Sequence, residues 1–160
     1  MKRLFAFALL ILACGSNDSD PKNPALPTSD GGPTSGTVEE AEAALYTLIS
    51  DARTAAALQP VARVPAADEA ARAWASEMKK KNALESDPNL ETSLNGILTG
   101  LVRSTQLTGK TRDVKTLFDK LMASPEHKAL ILDPGFNFAG IGIAGDGDLF
   151  WVAASLAEAA

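Results

Sequence analysis

Residues 138–155 read FAGIGIAGDGDLFWVAAS, and this stretch decides the fold class. Two apolar runs, 138–144 and 149–155, are rich in β-forming residues and are separated by the sequence Gly-Asp-Gly-Asp. Two such runs around a Gly/Asp turn predict an antiparallel β-hairpin. Gly140 and Gly142 in the first run predict that a neighbouring backbone packs closely against it.

The residues upstream of this hairpin have helical patterns. Thr37 and Glu40 have the spacing of a capping box, and an apolar stripe of helical period follows them. A second helix is expected from about Pro65 to the lysine run at 79–81, since basic residues suit the negative end of the helix dipole. Between the two helices, residues 61–64 are expected to be extended, because a residue before proline avoids the helical conformation.

The middle of the chain continues the helical pattern. Asp87 and Pro88 are expected to cap and begin a third helix, whose apolar stripe runs to Leu101. Residues 104–110 are polar and are expected to form a loop before a fourth helix. A short helix capped by Ser124 follows. Because the helices come first and the hairpin last, the predicted class is α+β.

Composition excludes several kinds of site. The 160 residues carry 15 basic and 20 acidic side chains, for a net charge of -5 and a pI of about 4.9. Without a general basic surface, no nucleic-acid partner is expected. The chain has 1 Cys and 1 His. These counts exclude an internal disulfide framework, a Cys-based zinc cluster and a two-His metal site within one chain.

The N-terminus has the pattern of an export signal. Lys2 and Arg3 precede an unbroken apolar run at residues 4–13, which is too short to span a bilayer. The run leads into the sequence ILACGS at residues 11–16. This sequence resembles the lipobox of bacterial lipoproteins, in which the cysteine, here Cys14, is lipidated and becomes the mature N-terminus.

Residues 1–13 are therefore interpreted as a lipoprotein signal peptide, and Cys14 as the lipidation site. The alternative is a free thiol in an ordinary leader. Ser16, in place of an Asp after the cysteine, predicts outer-membrane sorting in a Gram-negative cell. Without the leader the chain has 13 basic and 20 acidic side chains, a net charge of -7. Acyl chains, rather than charge, would then attach the protein to the membrane.

Residues 14–37 have the composition of a disordered tether. Of these 24 residues, 20 are Gly, Pro, Ser, Thr, Asn or Asp, and they show no apolar periodicity. Such a segment cannot form a core that offsets the entropy of ordering it. Residues 38–160 are therefore the predicted folded domain.

The C-terminal part of this domain resembles the CAP superfamily, the cysteine-rich secretory, antigen 5 and pathogenesis-related-1 domains, in its bacterial branch. The family pattern Trp-Met-x-Ser-Pro-Gly-His-Arg-x-Asn-Ile-Leu corresponds to LMASPEHKALIL at residues 121–132. The family continues with a Phe, an Ile-Gly-x-Gly strand and a Tyr-Trp strand. Phe136 or Phe138, then GIGI at 140–143 and FWV at 150–152, follow here in that order.

The N-terminal part agrees with this resemblance. LISDAR at residues 48–53 is similar to the family's Asn-x-x-Arg start, and Trp74 and Met78 match its Ala-rich helix. The resemblance covers residues 41–156. It implies an α-β-α sandwich around a small antiparallel sheet that ends in a C-terminal β-hairpin. It also implies a cleft in which many members hold two His and two acidic residues, in some cases with a divalent metal.

This chain departs from that set of cleft residues. His127 matches the second family His, but Glu85 and Ser86 stand where the first is expected. The nearest match to the family's Gly-Glu-Asn-Ile segment is SLN at 93–95, which places Asn95 in the candidate cleft and a leucine at the acidic position. Glu126 replaces the usual Gly beside His127, although adjacent residues on a helix point in different directions.

Three functions remain open from the sequence. The first is a non-catalytic, lipid-anchored envelope module that binds a lipid, a glycan or a protein and needs no cofactor. The second is a metal-assisted hydrolase of envelope material, in which His127 acts with Glu126 or Glu85. Such an enzyme would have only one imidazole as a candidate metal ligand. The third is a spacer or assembly component without an open cleft.

Overall fold

The computed structural model describes residues 36–146 and 148–160. The predictions for the signal peptide, Cys14 and the tether up to residue 35 lie outside these residues. No helix in the described part of the chain is long and apolar enough to cross a bilayer. The elements in chain order are α1 (Val38–Ala55), β1 (Ala62–Arg63), α2 (Pro65–Lys81), α3 (Leu90–Asn95), β2 (Leu101–Thr111), α4 (Val114–Ala123), α5 (Pro125–Ile131), β3 (Phe138–Asp146) and β4 (Leu149–Ala159).

The strands form a four-stranded sheet in the order β1-β3-β4-β2. The predicted hairpin is confirmed, since β3 pairs antiparallel with β4 and Ile141 lies opposite Ala154. The extended piece after α1 is also confirmed, as β1. It pairs parallel with β3, with Ala62 opposite Phe138, so the sheet is mixed rather than purely antiparallel as expected.

Helices cover both faces of this sheet, which gives the expected α-β-α sandwich. Because side chains alternate across a strand, one face of β4 presents Val152 and Leu156 to the core shared with α1, α4 and α5. The opposite face presents Trp151 to α2 and Ala157 to α3. We call these two layers the α1/α4/α5 layer and the α2/α3 layer.

The two glycines of β3 permit the close approach of α2. An added Cβ at Gly140 would lie 2.6 Å from the backbone carbonyl carbon of Ala67. One at Gly142 would overlap the backbone at Ala71 and Arg72. The sequence prediction of a close backbone neighbour is therefore confirmed, and that neighbour is α2.

The prediction of a loop at residues 104–110 is wrong, because these residues belong to β2. Gln106 pairs with Ser155 and Thr108 with Ala153 in the β2–β4 ladder, and all four residues are buried. The side-chain amide of Gln106 donates to Ser155 Oγ at 3.3 Å and its oxygen accepts from the Asp87 amide at 2.9 Å. Gln106 is thereby satisfied, as buried polar side chains usually are. The buried hydroxyls of Ser104 and Thr108 on the same strand have no hydrogen-bond partner within the described residues.

The third helix is shorter than expected. Asp87 does not cap it, because its carboxylate accepts a hydrogen bond from the Asn89 amide in a turn before the helix. Asn89 is the N-cap residue. The helix ends at Asn95, and Leu101, expected on its apolar stripe, begins β2 instead.

The predicted capping box at the start of α1 is confirmed. The Glu40 amide donates to Thr37 Oγ1 at 3.2 Å, and the Thr37 amide donates to Glu40 Oε2 at 2.8 Å. Ser124 occupies the N-cap position of α5, as expected, but its side chain makes no capping bond to the backbone. Its hydroxyl is instead hydrogen-bonded to the imidazole ring of His127.

Candidate functional site

His127 is buried in the first turns of α5, with 4% of its surface exposed. Its Nδ1 atom lies 2.8 Å from Ser124 Oγ, and the two are hydrogen-bonded. The bond joins residues three positions apart, so it fixes the ring against the start of its own helix. One of the two imidazole nitrogens therefore has a structural partner within α5.

Glu126 does not form an acid/base pair with this ring. It is exposed while its neighbour His127 is buried, as expected for adjacent positions on one helix.

The other candidates lie in or around the α2/α3 layer. Glu85 and Ser86 follow α2, and Asn95 ends α3. Glu85 is exposed, and its carboxylate pairs with Lys81 at 3.1 Å. Its backbone carbonyl accepts a hydrogen bond from Trp74 Nε1 at 2.8 Å. Ser86 is half-buried and Asn95 is exposed. These residues and His127 thus come from opposite sides of the sheet.

The divalent metal that the resemblance implies for many relatives does not fit these residues. Within residues 36–146 and 148–160, no group of three or more His, Cys, Asp or Glu side chains is placed to hold a metal ion. An imidazole bonded to Ser124 and a carboxylate paired with Lys81 supply no shared coordination sphere.

A buried ionic cluster that no sequence motif predicted lies at the outer edge of β3. Glu42 is 1% exposed and Asp68 is 5% exposed. Glu42 accepts from Arg72 through both carboxylate oxygens, at 2.7 and 2.6 Å, and from Arg63 at 3.3 Å. Asp68 accepts from Arg63 Nε at 2.8 Å. We call these four residues the edge cluster.

The edge cluster also binds the backbone of β3. The Ile143 amide donates to Glu42 Oε1 at 3.1 Å, and the Ile141 amide donates to Asp68 Oδ1 at 2.7 Å. β1 is too short to pair with this part of β3, so two carboxylates take the place of a neighbouring strand. A signal was available in the sequence, because Glu42 lies three residues before Leu45 and seven before Ile49 on the buried face of α1.

Two further arginines, outside the edge cluster, bind groups close to the starts of β2 and β3. Arg53 is 1% exposed and donates to four backbone carbonyls, those of Gln59, Ile131, Asp133 and Phe136. Arg103 on β2 binds both carboxylate oxygens of Asp133, at 2.8 and 2.7 Å, and Glu158 at 2.7 Å. These hydrogen bonds hold the pKa of the Asp133 carboxyl below its ordinary value and raise the pKa of Arg103.

An apolar cavity lies between α1, α4 and the sheet. It has a volume of about 10 Å³, and its walls include Leu45, Ile49, Leu117 and Val152. That volume is on the order of a single water-sized sphere. The cavity is therefore a packing gap rather than a preformed ligand pocket.

Comparison with known proteins identifies the family of this sandwich. Residues 46–154 match the Cysteine-rich secretory protein family, CAP. The chain belongs to the CAP family. The match runs from the middle of α1 to the middle of β4 and includes every helix and strand between them. None of the curated proteins compared matches this chain.

Solved CAP structures share its fold at low sequence identity. An outer surface protein from Borrelia burgdorferi superposes with a TM-score of 0.70 at 10% identity, over 81% of this chain and 100% of that protein. A cysteine-rich secretory protein from Staphylococcus aureus gives 0.65 at 18% identity, over 78% of this chain. An extracellular protein with an SCP domain from Bacillus anthracis gives 0.67 at 16% identity, over 80% of this chain. This chain spans only 40% and 45% of the latter two proteins.

Proposed function

We propose that this protein is a lipid-anchored, non-hydrolytic binding module of the bacterial envelope. Cys14 carries the acyl chains, residues 14–37 act as a tether, and the CAP domain binds its partner through its surface. The name of the Borrelia structure, an outer surface protein, supports a surface location. A Gram-negative host would place the protein in the outer membrane, because Gly15 and Ser16, rather than an Asp, follow the cysteine.

The observation that carries the non-hydrolytic part is the burial of His127, which is 4% exposed. A general base must be oriented by a partner and must lie beside the group that it activates. The Ser124 hydroxyl lies 2.8 Å from Nδ1, but the burial of His127 gives a substrate little access to this pair. Glu126 points to solvent, and Glu85 is paired with Lys81.

The cavity between α1 and α4 is too small to enclose a ligand. An acyl chain buried between α1 and α4 would require far more space than the cavity of about 10 Å³ provides. We therefore propose no lipid bound in this cavity, and a lipid, a glycan and a protein all remain candidate partners for the surface of the domain.

The tether gives the proposed anchor a physical role. A random coil as long as the proposed tether, 24 residues, has a typical end-to-end distance on the order of 25–30 Å. The domain could then reach partners beyond the lipid head groups. More than one acyl chain is required for stable attachment, because each buried CH₂ contributes about 0.8 kcal/mol.

The anchor is tested by the variant Cys14→Ser. The unchanged protein is expected to remain with membranes until detergent is added and to incorporate a fatty-acid probe. The variant is expected to lose both properties. Detergent-dependent fractionation of the variant would overturn the lipobox interpretation.

The alternative, a metal-assisted hydrolase, is tested by calorimetric titration of the purified protein with zinc. The expected result is no stoichiometric uptake at micromolar concentration, both for the unchanged protein and for His127→Ala. Stoichiometric binding that His127→Ala abolishes would instead support the hydrolase.

A further inference from the structure

Asn95 and Gly96 form the Asn-Gly dipeptide of this sequence, which occurs once in the chain. Asn95 is the last residue of α3 and Gly96 is its C-cap, and both are exposed. In this dipeptide the backbone nitrogen of the glycine can reach the side-chain carbonyl carbon of the asparagine. Glycine permits that approach best because it has no Cβ.

We propose that Asn95 is a site of spontaneous deamidation, which replaces its neutral amide with a carboxylate. The Gly96 nitrogen gives up its proton to solvent and bonds to Asn95 Cγ, and ammonia leaves from Cγ to form a five-membered succinimide. One water then opens the ring. Opening at Cγ gives aspartate, and opening at the backbone carbonyl gives an isoaspartyl linkage. Water is the single co-reactant.

The hydrogen bonding of Gly96 permits this attack once α3 opens locally. The Gly96 amide donates to the Thr92 carbonyl at 3.3 Å and is shared with the Leu94 carbonyl. Because this hydrogen bond is long and is shared between two acceptors, it restrains the attacking nitrogen only weakly.

The helix itself is marginal. α3 has 6 residues, its N-cap residue Asn89 makes no side-chain capping bond, and Leu94 is its buried residue. Isolated helices shorter than about 12–15 residues are unstable without tertiary packing. A short, thinly buried helix opens more readily than the core, and opening lets Asn95 leave the helical conformation that keeps Cγ away from the Gly96 nitrogen.

The product differs from the original chain in charge and, in part, in backbone length. Without the leader the chain has 13 basic and 20 acidic side chains, a net charge of -7. Deamidation makes this net charge one unit more negative. The isoaspartyl form also adds one carbon to the backbone at the end of α3, directly before the segment that leads into β2. Neither consequence depends on the proposed binding function.

The test uses the purified full chain, incubated in warm, mildly alkaline buffer and then digested with trypsin. Cleavage at Lys81 and Arg103 releases residues 82–103, which contain Asn82, Asn89 and Asn95. The expected result is a progressive gain of one mass unit that fragmentation assigns to Asn95, together with isoaspartate. Asn82 and Asn89, which precede Ala83 and Leu90, serve as internal controls.

Gly96→Ala is the matched variant. An added Cβ would lie 3.5 Å from its nearest neighbour, the Ser93 carbonyl oxygen, and φ is -76°. The variant is therefore expected to fold normally and to deamidate on the order of tenfold more slowly, because the Cβ hinders approach to Cγ. Conversion at Asn95 no faster than at Asn89, or an unchanged rate in Gly96→Ala, would overturn the proposal.

Discussion

Glu42 on α1 accepts a hydrogen bond from the backbone amide of Ile143 on β3, 101 positions away in sequence, at 3.1 Å. The same carboxylate binds Arg72 through both oxygens. This contact joins the first helix, the second helix and the sheet. It also satisfies an amide on the outer edge of β3, where β1 is too short to pair, so it protects an edge that could otherwise pair with another chain.

Glu42→Ala is expected to lower the free energy of unfolding by about 3 kcal/mol, because removing one partner of a buried ionic network leaves the others unsatisfied. The measurement is urea denaturation followed by tryptophan fluorescence. Glu69→Ala, an exposed residue on α2, is the control and is expected to change stability by less than about 0.5 kcal/mol. Equal effects of the two substitutions would show that the edge cluster contributes nothing specific.

Arg53→Met is expected to destabilise the fold by about 3 kcal/mol or more, since buried carbonyls lose a charged donor. Arg53 donates to Ile131, Asp133 and Phe136, which shape the chain between α5 and β3. Arg53→Lys should recover little of this loss, because a single ammonium group cannot reach all the carbonyls. Lys128→Met, at an exposed site, is the control, and full stability of Arg53→Lys would contradict the interpretation.

Gly142→Ala is expected to cost about 3 kcal/mol or more, at the upper end of the range for overpacking. The new methyl group would overlap the backbone of Ala71 and Arg72, which cannot move without shifting α2. Gly145→Ala on the same strand is the comparison, because its Cβ would lie 3.3 Å from the side-chain Cγ2 of half-buried Val38 and would meet no backbone of another element. Thermal unfolding should rank the two variants in that order, and the reverse order would refute this account of the α2–β3 contact.

The ion pair between Arg103 and Asp133 is expected to make stability depend on pH in acid. Arg103 lowers the pKa of the folded-state Asp133 carboxyl below its unfolded value. A lowered folded pKa stabilises the protein above the unfolded pKa of about 3.9, and this contribution is lost as the pH falls through the folded pKa.

Arg103→Met should therefore reduce the difference in urea midpoint between neutral and strongly acidic solution. Lys115→Met, which removes an exposed pair with Asp119, is the control and should leave most of the difference in place. The same pH dependence in Arg103→Met and the unchanged protein would exclude the pair of Arg103 and Asp133 as its source. Asp113, whose pKa is also lowered, chiefly by its hydrogen bond with Thr116, should supply the part that persists.

Local patterns predicted the parts of the fold that depend on neighbouring residues. The capping box of Thr37 and Glu40, the hairpin of β3 and β4 and the close approach at Gly140 and Gly142 are all confirmed. Each depends on contacts between residues close in sequence or on the space available at one position. Both can be predicted from the local sequence.

Local patterns gave wrong predictions where contacts with distant segments determine the structure more strongly than the polarity of the segment itself. Residues 104–110 are polar enough for a loop, but β4 supplies hydrogen bonds along the whole segment, and Ser155 and the Asp87 amide satisfy Gln106. The candidate cleft shows the same limit. His127 could be identified from sequence position, but its bond to Ser124 and its placement across the sheet from Glu85 and Asn95 follow from packing.

The sequence by itself determined the α+β class, the hairpin, most helix starts and the CAP resemblance, because these depend on local spacing and on the order of motifs. Only the tertiary structure decided that β2 is a strand, that Glu42 and Asp68 replace a missing neighbour of β3, and that the candidate cleft residues do not form a metal site in the described part of the chain. The physical reason is that a buried polar side chain requires partners, and those partners are supplied by segments far away in the sequence.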